Sequence, residues 1–150
     1  MGVDQTEFIF RVLIAAGCGL LVGIDREIKN KPLGARTYIL VAAACAAWAM
    51  LTINFAIQSA QSFPDLNADP TRLIQGLVGA IGFLGAGAII STSEEGRLRG
   101  VASGAAIWGV GAVGVACGLG YFIEALVLSA LFFVVLNAYD FLADRVDREK

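Results

Sequence analysis

The sequence predicts an all-α, polytopic membrane bundle of about five transmembrane helices, and three observations carry that prediction. The 150-residue chain is 57% hydrophobic with a mean hydropathy of +0.73, and only 16% of its residues are charged, which is far from the composition of soluble domains. Apolar stretches long enough to approach the ~30 Å of a bilayer's hydrocarbon recur along the whole chain. Nine Lys and Arg residues fall in the first connection, the third connection and the tail, against two on the other side. This alternation follows the positive-inside rule and places the N-terminus outside and the C-terminus in the cytoplasm.

The first span, 8–24, follows an acidic N-terminal segment without the basic start of a secretory signal. Arg11 lies one turn inside it and can snorkel to the interface. Gly19 and Gly23, spaced i, i+4, form a helix-contact stripe that continues to Glu27. Arg26 lies beside this stripe, so Arg26 and Glu27 are expected to point toward the bundle and Asp25 less so. Pro32 and Gly34 mark a turn, and the second span, 37–57, carries no charge. Asn54 within it, and Gln75 in the third span, read as interhelical hydrogen-bond partners.

In the polar loop 58–72, Asp65, Asn67 and Asp69 are spaced like the start of a calcium loop. Pro70 and Gly76 break the remainder of that motif. Asp69 reads instead as the N-cap of the third helix, with Pro70 in its first turn. The third span, 73–90, has small residues all round. Gly79, Gly82, Gly85 and Gly87 are its expected packing positions, the span is expected at the centre of the bundle, and Gly82→Leu is expected to disrupt it. The same glycines leave open a break into two half-helices lining a cavity.

The fourth span, 101–117, is again rich in small residues, and Gly118-Leu-Gly120 makes a tight hairpin into the fifth, 121–139. Glu124 lies near the start of the fifth span, and residues 140–150 form a short charged tail with Asp144 and Arg148 spaced i, i+4. Tyr121 and Tyr139 read as interfacial anchors, and Trp48 and Trp108, inside spans, as packing residues.

Several functions are disfavoured by composition. Histidine is absent, and no nucleophile is matched with a base, so no enzyme is expected. Cys18, Cys45 and Cys117 lie in apolar stretches without CxxC spacing and read as small buried residues rather than a zinc site. The net charge of -2 gives no reason to expect nucleic acid. The candidate site is the charge constellation that this topology gathers at the cytoplasmic side: Arg26, Glu27, Arg36, Glu94, Glu95, Arg97 and Arg99. An unpaired charge within a span costs about 2.5–3.5 kcal/mol on insertion scales, so Glu27 needs an ion pair with Arg36 or Arg99, or a hydrated cation such as Mg²⁺. Asp65, Asp69, Arg72 and Glu124 form a thinner set outside.

Four segments in order resemble the MgtC/SapB family of bacterial inner-membrane proteins. They are Gly19-Leu-Leu-Val-Gly-Ile-Asp-Arg-Glu27, Pro32-Leu-Gly-Ala-Arg-Thr37, Gly79-Ala-Ile-Gly-Phe-Leu-Gly-Ala-Gly-Ala-Ile89 and Arg99-Gly-Val-Ala-Ser-Gly-Ala-Ala-Ile-Trp108. The resemblance implies a multi-pass inner-membrane protein linked to growth under low magnesium, and in pathogenic members to virulence. It argues against direct Mg²⁺ transport and implies that some members inhibit the F-type ATP synthase. It carries over to Arg26, Glu27, Arg36, Thr37, Arg99 and the glycines of the third span. The chain looks like the short SapB-type branch, without the soluble domain that longer members carry after the last span. It departs from the pattern at Ala102-Ser103, where two threonines are expected, and at Tyr38, where histidine is frequent. The reading is a regulator of a membrane complex or of membrane energetics, oligomeric through small-residue faces and without a required cofactor. The alternative is a transporter or channel for Mg²⁺ or another cation.

Overall fold

The computed structural model describes residues 2–31, 33–63, 68–92 and 100–148, with the side chains of 91–92 and 139–148 outside the description. It consists of five helices: α1 (Gln5–Ile28), α2 (Ala35–Ser62), α3 (Thr71–Thr92), α4 (Val101–Leu119) and α5 (Phe122–Arg148). The first four are long and apolar enough to cross a membrane, and α5 has a shorter apolar stretch, Phe122–Ala138. The helices overrun the apolar stretches read from sequence because hydropathy marks the lipid-facing part, whereas the backbone stays helical until a cap ends it. The charged tail accordingly continues α5 to Arg148, and α3 runs unbroken.

The centre of the bundle is α4, not α3. α4 packs against all four other helices, whereas α3 touches α4 and only the fringe of α2. Of the α4 span 61% is buried, against 17% of the α3 span. Backbone contact explains the difference. A Cβ placed on Gly118 would lie 2.6 Å from the Ala46 carbonyl oxygen, and one on Gly114 would collide with the Ala42 carbonyl, so α2 lies directly on the α4 backbone. On another face Gly104 and Gly85 meet each other, each hypothetical Cβ falling 2.8–2.9 Å from the other residue's carbonyl oxygen. Gly85 is thus the third-span glycine that packs closely. Gly82 has only Trp108 at 3.9 Å, and Gly76, Gly79 and Gly87 have nothing within 4 Å. The expectation that Gly82→Leu disrupts a crowded core is therefore withdrawn. Trp48 and Trp108 are also half-exposed on the outer surface rather than packed inside.

The α4–α5 hairpin is closed by backbone geometry and one cation. Gly120 takes a left-handed conformation (φ 86°), and the Gly120 and Tyr121 amides donate back to the Cys117 and Ala116 carbonyls at 3.0 and 2.8 Å, a Schellman ending. Arg11 reaches across from α1 and donates to the Gly118 carbonyl at 2.6 Å. It also pairs with Glu7 and lies 6.0 Å from the centre of the Phe122 ring. A cation at a helix C-terminus is favoured by the helix dipole, so Arg11 stays within the protein rather than extending to the interface. At the same end Asn54 accepts from the Val3 amide at 2.8 Å and donates to the Val3 carbonyl at 3.1 Å. It pins the N-terminal segment instead of a neighbouring helix.

Arg11→Ala removes the link between α1 and the α4–α5 corner. Hydrogen bonds to charged groups contribute about 1.5–3 kcal/mol each, so the variant is expected to lose stability on that scale, measured by thermal unfolding in detergent. Arg11→Lys, which keeps the charge without the fork, is expected to recover part of the loss.

Candidate functional site

The site is assembled where α1 ends and α2 begins. α1 has two working faces. On one, Gly19 and Gly23 let α2 approach: hypothetical Cβ atoms would lie 2.6 Å from the Tyr38 carbonyl oxygen and 2.8 Å from the Ala35 Cα. One turn further, the same stripe reaches Glu27. α2 starts at Gly34, which has no side chain to accept the first amides of the helix. The Glu27 carboxylate takes that place and accepts from the Ala35 amide at 2.8 Å. A side chain on Gly34 would collide with this carboxylate. The negative charge also sits at the positive end of the α2 dipole.

The Arg36 ion pair expected for Glu27 is replaced by this cap. Glu27 is exposed at the rim of the bundle. The buried acid is Asp25, 8% exposed, beside Arg26 at 2%. This reverses the expected order of Asp25 and Glu27. The cause is the second face of α1, which packs against α5.

There Asp25 pairs with Arg26 and with Lys29 at 2.7 Å. Arg26 Nη2 lies 3.3 Å from the Leu136 carbonyl oxygen, and Lys29 donates to the Asn137 side-chain oxygen at 3.1 Å. Asn137 is turned toward Lys29 by its amide nitrogen, which donates to the Phe133 carbonyl at 2.9 Å. The network therefore joins α1 to α5 through charge-assisted hydrogen bonds, the one from Arg26 buried and the one from Lys29 exposed at the rim. Lys29, Leu136 and Asn137 were missed from sequence. Asn137 alone gave a signal, as the one amide in the apolar run of the fifth span.

Arg36 is exposed in the first turn of α2, and Thr37 is half-buried with its amide donating to the Gly34 carbonyl at 3.1 Å. Arg99, with Glu94, Glu95 and Arg97, lies outside the described residues, as do Asp65 and Asn67. Tyr38 is fully buried, and its hydroxyl donates to the Ser103 carbonyl of α4 at 3.3 Å. The two positions that depart from the family pattern thus touch each other. At the far end Asp69 caps α3, accepting from the Thr71 amide at 2.9 Å and the Thr71 hydroxyl at 2.7 Å. These two bonds, the hydroxyl first, hold its carboxyl below the usual range. Its contribution to α3 is complete above about pH 4 and is lost as pH falls through the lowered value. Glu124 is exposed in the first turn of α5. Among the described residues no group of three or more His, Cys, Asp or Glu side chains is placed to hold a metal ion.

The MgtC family profile matches residues 12–145. Protein SapB of Bacillus subtilis is 35% identical over 134 residues, covering 87% of this chain and 55% of its own length. Protein SrpB of Synechococcus elongatus is 36% identical over 144 residues, covering 92% of this chain and 76% of its own length. A protein of Escherichia coli named "Putative magnesium transporter YhiD" is 29% identical over 141 residues, covering 93% of this chain and 64% of its own length. The chain thus spans little more than half the length of SapB. No solved structure matches it.

The network ranks two substitutions. Asp25→Ala leaves the buried Arg26 without its adjacent carboxylate and is expected to cost about 3–5 kcal/mol. Glu27→Ala removes one helix cap at an exposed rim and is expected to cost about 0.5–2 kcal/mol. Thermal unfolding of both variants in the same detergent measures the order.

Proposed function

Because this chain belongs to the MgtC family, we propose that it is a multi-pass inner-membrane protein that regulates another membrane complex, or membrane energetics, in adaptation to low magnesium or stress. In this reading the N-terminus faces outward and the site at the α1–α2 turn faces the cytoplasm, the orientation that the Lys and Arg asymmetry favours. The protein acts by binding rather than by catalysis and needs no resident cofactor. The F-type ATP synthase is a candidate partner, second copies of the chain are another, and a role in virulence applies to pathogenic carriers.

The observation that carries this reading is how the charges are used. Asp25, Arg26 and Lys29 are engaged with one another and with α5, and Glu27 with the start of α2. Groups committed to joining helices make a rigid platform. An ion pathway needs groups that can exchange their partners for a passing cation. The exposed rim of Glu27 and Arg36 carries both signs of charge on this platform, which suits a specific protein contact.

The second reading, a transporter of Mg²⁺ or another cation, is favoured by the printed name of the Escherichia coli relative. Two measurements separate the readings: Mg²⁺ flux into proteoliposomes holding the purified chain or Glu27→Gln, and crosslinking of the chain in its native membrane. The regulator reading expects flux no greater than in empty vesicles and a crosslink to a defined membrane complex. Flux that disappears in Glu27→Gln overturns it in favour of transport.

A further inference from the structure

At the end of the bundle opposite the Asp25–Arg26–Glu27 segment, α2 and α3 touch only at their fringe, and a cavity of about 450 Å³ opens between them. This is within the range of small-ligand sites, about 300–1,000 Å³. Thr52, Phe55 and Ala56 line one wall, and Asp69 and Arg72 line the other. The α2 wall belongs to the end of the uncharged run 37–57, and the α3 wall to the start of an apolar span. The cavity therefore sits where the hydrocarbon gives way to the headgroup layer.

Both charges at this cavity have bonding capacity to spare. Asp69 caps α3 through Oδ1 alone, and among the described residues its Oδ2 has no hydrogen-bonded partner. The Arg72 guanidinium likewise has no hydrogen bond or ion pair among the described residues. The helix terminus itself offers an anion little, because the Thr71 amide is held by Asp69 and the Arg72 and Leu73 amides face the Asp69 and Pro70 carbonyls at 3.4 and 3.2 Å. An occupant must accordingly be met by the two side chains.

We propose that this cavity binds the headgroup of a phospholipid carrying a primary ammonium, of the phosphatidylethanolamine type, with its phosphate on Arg72 and its ammonium on Asp69. Charge complementarity selects the class. A guanidinium matches the planar recognition of phosphate oxygens, and a carboxylate accepts short, charge-assisted hydrogen bonds from an N–H donor. Phosphatidylglycerol has no cation for Asp69. Phosphatidylcholine has one without an N–H, and quaternary ammonium is recognised by aromatic cages, whereas Phe55 is the single aromatic on these walls. The apolar α2 wall suits the start of an acyl chain, which commits the site to a lipid rather than a soluble phosphoethanolamine. The inference needs the membrane placement of the bundle and is independent of the regulator reading.

The test is native mass spectrometry of the purified, delipidated full chain in detergent, titrated with phosphatidylethanolamine, phosphatidylcholine and phosphatidylglycerol of identical acyl chains. One phosphatidylethanolamine is expected to bind about tenfold or more tighter than either other lipid, the worth of one charge-assisted hydrogen bond. Asp69→Asn, which can still cap α3, should lose that preference, and Arg72→Gln should weaken binding of all three lipids. Unfolding temperatures of both variants without lipid should stay near that of the parent chain, which separates lost binding from lost folding. Equal binding of the three lipids, a preference for phosphatidylglycerol or phosphatidylcholine, or a preference that survives both substitutions would overturn the proposal. Displacement of the lipid by equimolar soluble phosphoethanolamine would do the same.

Discussion

Close approach of neighbouring backbones to α4 is the constraint on which the rest of the structure depends. Lipid tails are as apolar as leucine, so expelling apolar surface from water does little to hold helices together inside a bilayer. Packing of backbone and small side chains has to do it. α4 meets that need on more than one face. Gly114 and Gly118 receive α2, and Gly104 receives α3 at Gly85. Larger side chains then fill the space left between the axes: Ile107, Val110 and Val113 are fully buried.

The polar features are arranged around this frame. With α2 seated on α4, α1 lies in contact with α2, α4 and α5 at once. Its glycine face delivers Glu27 to the bare N-terminus of α2, and its other face delivers Asp25, Arg26 and Lys29 to α5. Arg11 performs a similar task at the opposite end, joining α1 to the last turn of α4. Glu27 and Arg11 each satisfy a backbone group near a helix end, whereas Arg26 and Lys29 reach the Leu136 carbonyl and the Asn137 side chain within α5. Side chains of this kind fix the order of helices that generic apolar packing would leave degenerate.

Much of this was legible in the sequence, and the failures have a common cause. The number of helices, the Asp69 cap, the hairpin at Gly120 and the Gly19–Gly23–Glu27 stripe all depend on local spacing, which a sequence displays directly. The choice between α3 and α4 as the centre does not. Each carries five glycines, and hydropathy favours α3, at 2.0 against 1.6. Only the identity of the neighbours decides which glycines are crowded. The same limit affected Asp25 and Glu27: helical periodicity separated their faces correctly, but the packing of α1 against α5 could not be read from α1. Likewise, nothing local in the fifth span showed that its Leu136 carbonyl would face a guanidinium.

The most direct test of α4 as the organising helix is a paired measurement of unfolding temperature for Gly114→Val and Gly79→Val, in one detergent and at matched concentration. Gly114 faces the Ala42 carbonyl and the Cys45 Cβ, whereas Gly79 has no neighbour within 4 Å. Overpacking a crowded site costs about 1–3 kcal/mol and sometimes more. The account predicts a marked loss of stability, or failure to fold, for Gly114→Val, and near-native unfolding for Gly79→Val. The reverse order would contradict it and would return the central position to α3.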